Sequence, residues 1–144
     1  MPLSKAADLR KRILEEMTAD HSSALERNFD LAKQFLRITR EGKVEVQFKD
    51  QLTGQEQILL YLIGKLYAKE AGVTTTDDAE NKELMDELGV PKGSLLPWIK
   101  ALRDKGRIKT VRKKRYTHHT VALNFVETTL KSVERKTKKA TGGS

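Results

Sequence analysis

The sequence predicts a mainly α-helical chain with a small β-hairpin and one further strand. Three observations carry that expectation. Apolar residues recur at helical spacing in several segments that end at glycine. The pattern changes to strand-like residues after Gly106. The charges are segregated: residues 1–52 hold ten bases and nine acids, residues 53–91 three and eight, and residues 92–144 fifteen and three.

Taken in order, Ser4 to Thr18 reads as a helix with Leu9, Ile13, Leu14 and Met17 on one side. A second helix is expected from Ser23, whose spacing to Glu26 is that of a capping box. Leu25, Phe29, Ala32 and Leu36 continue its apolar stripe, and Gly42 is its expected stop. Lys43 to Phe48 alternates, with Val44, Val46 and Phe48 facing one way, as in a half-buried strand.

Thr53 and Glu56 form a further capping box. Ile58, Leu59, Leu62, Ile63, Leu66 and Tyr67 follow as a strong apolar face, with Gly72 as the stop. Val73 to Glu80 reads as polar loop, and Asn81 to Leu88 as a short helix ended by Gly89. Another helix falls within Lys92 to Lys105; Pro91 can open it, or Ser94 can cap it so that Pro97 lies in its first turn. Ile108 to Val111 and Tyr116 to Leu123 read as strands, Phe125 to about Lys136 as a helix, and residues 138–144 as a basic, flexible tail. The expected organisation is an N-terminal helical extension with a short strand (residues 1–52), a central domain (53–123), a C-terminal helix (124–137) and the tail (138–144).

Composition narrows the function classes. The 144 residues suit one compact domain with helical additions. The absence of cysteine removes disulfides, cysteine-ligated zinc and thiol chemistry. No apolar run approaches the roughly 18 residues of a membrane span, and the first sixteen residues lack a signal-peptide core. A basic block beside an acidic one points to an oriented polyanion-binding face.

The order from Thr53 is helix, short helix, tight turn, helix, basic hairpin. Gly89 permits the positive φ of the turn, Val90 can plug the crossing, and the second helix is presented outward. Arg107, Lys109, Arg112, Lys113, Lys114 and Arg115 follow without an acid before Glu127. Lys92, Ser94, Lys100 and Arg103 add polar groups on the helix. Six cations on a narrow ribbon suit phosphates or a minor groove.

Leu84-Met85-Asp86-Glu87-Leu88-Gly89-Val90 resembles the helix and turn of winged helix-turn-helix proteins, and Leu95, Ile99, Leu102, Gly106 and Ile108 match their recognition helix and first wing strand. Gly93-Ser94-Leu95-Leu96-Pro97-Trp98-Ile99 through Gly106-Arg107-Ile108 is similar to the pattern of PadR-type transcriptional regulators. In that pattern Tyr is usual where Leu96 stands, and Leu where Arg107 stands. The resemblance implies a winged fold over residues 53–123 and binding to nucleic acid, most of all duplex DNA. It does not extend to an effector or an operator sequence.

The functional expectation is a non-enzymatic DNA-binding protein, a transcriptional regulator or chromatin-associated factor. It would sit in the cytoplasm on the nucleoid, or in the nucleus of a eukaryote. Ten residues form the expected nucleic-acid site: Lys92, Ser94, Lys100, Arg103, Arg107, Lys109, Arg112, Lys113, Lys114 and Arg115. Leu96 and Trp98 leave open a protein-interaction adaptor, and backbone charge alone does not distinguish RNA from DNA. Trp98 and Tyr116 each read as packing or anchoring residues before nucleic-acid contacts. His118 and His119 point to opposite faces of a strand, so neither metal nor cofactor is expected. Asp77, Asp78, Glu80, Glu83, Asp86 and Glu87 form an acidic patch, solvated or open to the basic tail or a basic partner. A homodimer is expected from the apolar surface of Leu25, Phe29, Phe35, Leu36, Phe125 and Leu130.

Overall fold

A computed structural model describes residues 5–14 and 21–141. The chain is mainly α-helical with two small antiparallel sheets. Helix α1 spans Lys5–Arg12; Ser4 and residues 15–18 of the helix expected there lie outside the described residues.

The expected second helix is the main correction. It begins at His21, so Ser23 lies inside it and does not cap it, and it breaks into α2 (His21–Arg27) and α3 (Phe29–Ala32) at buried Asn28. The Asn28 amide donates to the Ala24 carbonyl at 2.8 Å. The stripe does not run on as helix through Leu36. Strand β1 (Leu36–Ile38) pairs antiparallel with β2 (Val44–Val46), Leu36 opposite Val46 and Ile38 opposite Val44. Gly42, at φ 88°, turns this hairpin and does not stop a helix; a Cβ there would lie 2.6 Å from the Val73 carbonyl oxygen. Phe48 leaves the strand with φ 59° and sets its ring edge-on to Phe35 at 6.0 Å.

Helix α4 (Gly54–Glu70) is the centre of the molecule. The Thr53–Glu56 capping box forms in both directions: the Thr53 hydroxyl accepts from the Glu56 N–H, and Glu56 Oε1 accepts from the Thr53 N–H. Ile58, Leu59, Leu62, Ile63 and Leu66 of the expected apolar face are buried and Tyr67 is half-buried; Leu60, Tyr61, Gly64 and Lys65 on the other sides are buried as well. Both strands of the first hairpin, α2, and the later α5, α6, β5 and α7 pack against α4.

A two-residue strand, β3 (Ala79–Glu80), lies within the expected loop and leads into α5 (Asn81–Leu88). Gly89, at φ 67°, closes α5, and Val90 packs against the core. Helix α6 runs from Lys92 to Asp104 with Pro91, not Ser94, at its N-cap. Pro97 is therefore the sixth helical residue and not in the first turn; Gly93, whose carbonyl loses its donor, is exposed to water. Strands β4 (Ile108–Lys113) and β5 (Tyr116–Val121) form the basic hairpin, and β5 also pairs with β3, giving the order β3-β5-β4. Leu123 belongs to a 3₁₀ turn and not to the strand. Helix α7 (Val126–Thr141) buries Val126, Leu130, Val133 and Thr137 along one side. It continues past residue 137 into the expected tail, whose residues 142–144 lie outside the described ones.

One cluster of buried residues contains Leu59, Leu62, Ile63, Leu66, Leu84, Leu88, Ile99, Leu102 and Ile108, as the periodicity predicts. It also takes in Leu25, Phe35, Leu36, Val44 and Val46 from the N-terminal part and Leu130 from α7. Four of the six residues behind the dimer expectation are thus covered within the chain; Phe29 remains 52% exposed.

Gly64 lies where α4 packs closely on the first hairpin. A Cβ there would lie 2.3 Å from Val44 Cγ1. Alanine in an exposed helix gains about 1 kcal/mol over glycine. Overpacking against a stiff, β-branched neighbour costs about 1–3 kcal/mol. Gly64→Ala is therefore expected to lower the urea midpoint, and to cost less when Val44 is also replaced by Ala. A Gly64→Ala protein more stable than wild type would contradict this packing.

Candidate nucleic-acid interface

The basic hairpin is short, and its two faces differ. Across the pairing, Ile108 meets Val121, Thr110 meets His119 and Arg112 meets Thr117. Ile108, Val121 and His119 on this side are buried. Lys109, Val111 and Lys113 alternate to the other side, opposite Thr120, His118 and Tyr116. The turn is Lys114-Arg115, with Lys114 at φ 56°.

Two polar devices hold the hairpin to the helices. His119, 1% exposed, has Thr110 Oγ1 at 2.8 Å from Nδ1 and Asn81 Oδ1 at 2.7 Å from Nε2. It thereby joins both hairpin strands to the first residue of α5. Burial, reinforced by the nearby Arg103 and His118 charges, pushes its pKa down to about 4. Both ring nitrogens are engaged, so neither is directed to a metal.

Asp78 is the second device. Its carboxylate accepts from Lys113 Nζ at 2.6 Å and lies 3.2 Å from His118 Nδ1; Glu80 stands 3.6 Å from His118 Nε2. Burial alone would raise the Asp78 pKa, but hydrogen bonds and charge from Lys113 and His118 outweigh it and lower it. The acidic patch is thus largely used within the chain. Glu83 takes Lys65 and the Tyr61 hydroxyl, and Asp86 takes Lys82. Sequence reasoning missed these roles because Asp78 and Lys113 are 35 residues apart and meet only through the β3–β5 pairing.

The ten expected site residues do not behave alike. Lys92, Lys100 and Arg103 are exposed along one side of α6, with Leu96 between them, whereas Ser94 is half-buried. Lys100 pairs with Asp104 at 3.2 Å. Arg107 is half-buried with its guanidinium 5.7 Å from the centre of the Phe125 ring. Lys113 is held by Asp78. Among the described residues, Lys92, Arg103, Lys109, Arg112, Lys114 and Arg115 have no ion-pair partner.

The fold draws three of these six together. Lys92, Arg112 and Arg115 line one cleft of about 420 Å³ between the hairpin and the helices, shared with Lys82 and Met85 of α5. Asn81, Thr117, Tyr116 and Glu80 complete its wall. Neither Lys82 nor Thr117 stood out in the sequence, and Met85 did so only within the helix-and-turn resemblance; the return of the hairpin over α5 gathers them. Tyr116 is 59% exposed and does not anchor the hairpin. Trp98 packs as expected: its ring lies over Gly54, where a Cβ would come within 2.4 Å.

Among the described residues no helix is long and apolar enough to cross a membrane. Compared with known proteins, the chain matches no family model, and no curated protein or solved structure is significantly similar to it.

The two devices predict distinct pH windows. His119 has a folded pKa below its unfolded value of about 6.5, so between the two the unfolded state binds more protons. Stability should therefore fall as pH drops from about 6.5 towards 4, by about 2 kcal/mol at pH 5. Asp78, also lowered, contributes stability above its unfolded value near 3.9, which is lost as pH falls below that through its folded value. Urea midpoints across pH 4–8 for wild type and His119→Gln should show a flatter slope between 4 and 6.5 in the variant. Parallel slopes would assign the dependence elsewhere.

Proposed function

We propose that the segment from Thr53 to Leu123 is a winged helix-turn-helix module that binds duplex DNA, with α6 as the recognition helix and the β4–β5 hairpin as the wing. The observation that carries this reading is the convergence of Lys92 with Arg112 and Arg115, residues separated by some twenty positions, on one cleft and without ion-pair partners. Lys100, Arg103, Lys109 and Lys114 extend the same chemistry along the helix and hairpin. The exposed side of α6 also carries Leu96 and Pro97. Backbone phosphate contacts therefore dominate, and base readout is modest.

The protein acts as a regulator or chromatin-associated factor without catalysis of its own. A protein-interaction adaptor is the second reading, favoured by Leu96 and Val111, which are 41% and 55% exposed on the helix and hairpin. A homodimer would rest on Leu9, Ile13, Leu14, Phe29 and Phe48, the large apolar side chains left exposed among the described residues of the N-terminal part. Light scattering that returns the monomer mass at all concentrations would remove it.

Fluorescence anisotropy with two unrelated duplexes over a range of salt tests the DNA reading. Neutralising about six phosphates gives a slope of log affinity on log salt of roughly −5, a loss on the order of a thousandfold between about 50 and 200 mM. Replacing Lys92, Arg112 and Arg115 together by Ala should weaken both duplexes alike and flatten the slope by about three units. Lys113→Ala should change it less, because Asp78 already neutralises that ammonium. Circular dichroism controls for folding. Absence of binding to either duplex at low salt would remove the DNA reading in favour of the adaptor.

A further inference from the structure

The basic cleft has a feature that duplex binding does not use. Its volume of about 420 Å³ falls in the range of small-ligand sites, roughly 300–1,000 Å³. A duplex can lie across such a cleft but cannot enter it. A single nucleotide can, and the walls offer both halves of what a nucleotide needs. Lys92, Arg112 and Arg115 supply cations for a phosphate. Tyr116 supplies an exposed ring that stacks on no other aromatic side chain among the described residues. Half-buried Met85 adds a polarizable wall on the α5 side.

The rest of the lining is consistent with this assignment. Glu80 is the one carboxylate there, and it faces His118 at 3.6 Å. Lys82 is already paired with Asp86, which leaves three free cations against one acid. Asn81 Oδ1 accepts from His119 Nε2, which leaves the Asn81 amide N–H and the Thr117 hydroxyl as the neutral polar side-chain groups of the lining beside Tyr116.

Resting on the proposed DNA reading, we infer that this cleft takes one unpaired nucleotide of a strand, its phosphate on Lys92, Arg112 and Arg115 and its base against Tyr116. A base within a duplex is stacked and paired and cannot reach the ring, whereas one in a single-stranded end can. The protein then prefers a duplex with a single-stranded overhang to the same duplex with blunt ends, with little regard to which base occupies the overhang. Stacking of one base on an aromatic ring accounts for a preference of about tenfold.

The test compares blunt and overhanging versions of one duplex by anisotropy, with 2-aminopurine in the overhang to report stacking by its quenching. Wild type is expected to favour the overhang about tenfold and to quench the probe. Tyr116→Phe should keep both properties. Tyr116→Ala should lose both. Tyr116→Lys separates stacking from charge: it adds a cation, yet it should also lose the overhang preference. Tyr116 is exposed, so these variants should keep the wild-type circular dichroism. Equal binding of blunt and overhanging duplexes by wild type overturns the inference and leaves the duplex reading standing. Binding of neither overturns both. A Tyr116→Lys protein that retains the preference overturns the stacking role. Tight binding of a free nucleoside monophosphate without any overhang preference overturns the strand as the source of the nucleotide.

Discussion

Helix α4 has no solvent face along most of its length, and the remaining elements are arranged by the need to cover it. A helix buried on all sides must account for its polar residues as well as its apolar ones. Lys65, 7% exposed, and Tyr61, 3% exposed, are the two that sit badly in such a core. One carboxylate serves both: Glu83 Oε2 accepts from Lys65 Nζ at 3.1 Å and from the Tyr61 hydroxyl at 2.5 Å. Burial first, and then the Glu83 hydrogen bond and charge, raise the Tyr61 pKa well above its ordinary value and keep it a donor. Glu83 lies on α5, so the pairing that makes the core tolerable also fixes where α5 crosses α4. At the other end of α4, Lys136 of α7 reaches Glu56 at 2.8 Å, on the same carboxylate oxygen that caps the helix.

With α5 set by Glu83, the hairpin is set by α5. Asn81, the first residue of that helix, holds His119, and the two residues before it pair with β5. Asp78 then draws Lys113 towards the β3 side. The hairpin is therefore tied at its base by a neutral histidine network and nearer its tip by a charged one. The first is screened from water and the second is partly exposed, so salt weakens only the second appreciably. Orientation of the basic ribbon relative to α6 follows from these ties.

Where a helix carried its own signals, the sequence was enough. The Thr53 capping box, the turn at Gly89 and the change of period after Gly106 all have local chemistry, and each appears where that chemistry puts it. The failures share a cause as well. Leu25, Phe29, Ala32 and Leu36 have helical spacing, yet Leu36 is a strand residue because Val46 lies opposite it. Spacing within a segment contains no information about a partner eight or ten residues away. The same holds for β3, two residues long, which no period could announce. For the candidate site, the cations were legible as a class, but their division into free and neutralised members was not. That division depends on Asp78 and Phe125, which reach Lys113 and Arg107 only in three dimensions.

The charge asymmetry of the chain takes on a more specific meaning once those partners are known. Acids at 78, 83 and 86 are bound to Lys113, Lys65 and Lys82, so the acidic stretch is spent largely on orienting α5 and the hairpin. Only one of these partners, Lys113, comes from the basic block after Pro91. The remaining bases of that block face few acids of their own, and Lys92, Arg112 and Arg115 stand around a cleft whose sole carboxylate faces a histidine. Three cations held at a common cleft repel one another, and folding them together is favourable only because the core and the hairpin ties outweigh that repulsion. An incoming phosphate relieves it. The positive cleft is thus an arrangement that any anion bound there would stabilise, and by linkage such an anion would stabilise the fold in turn.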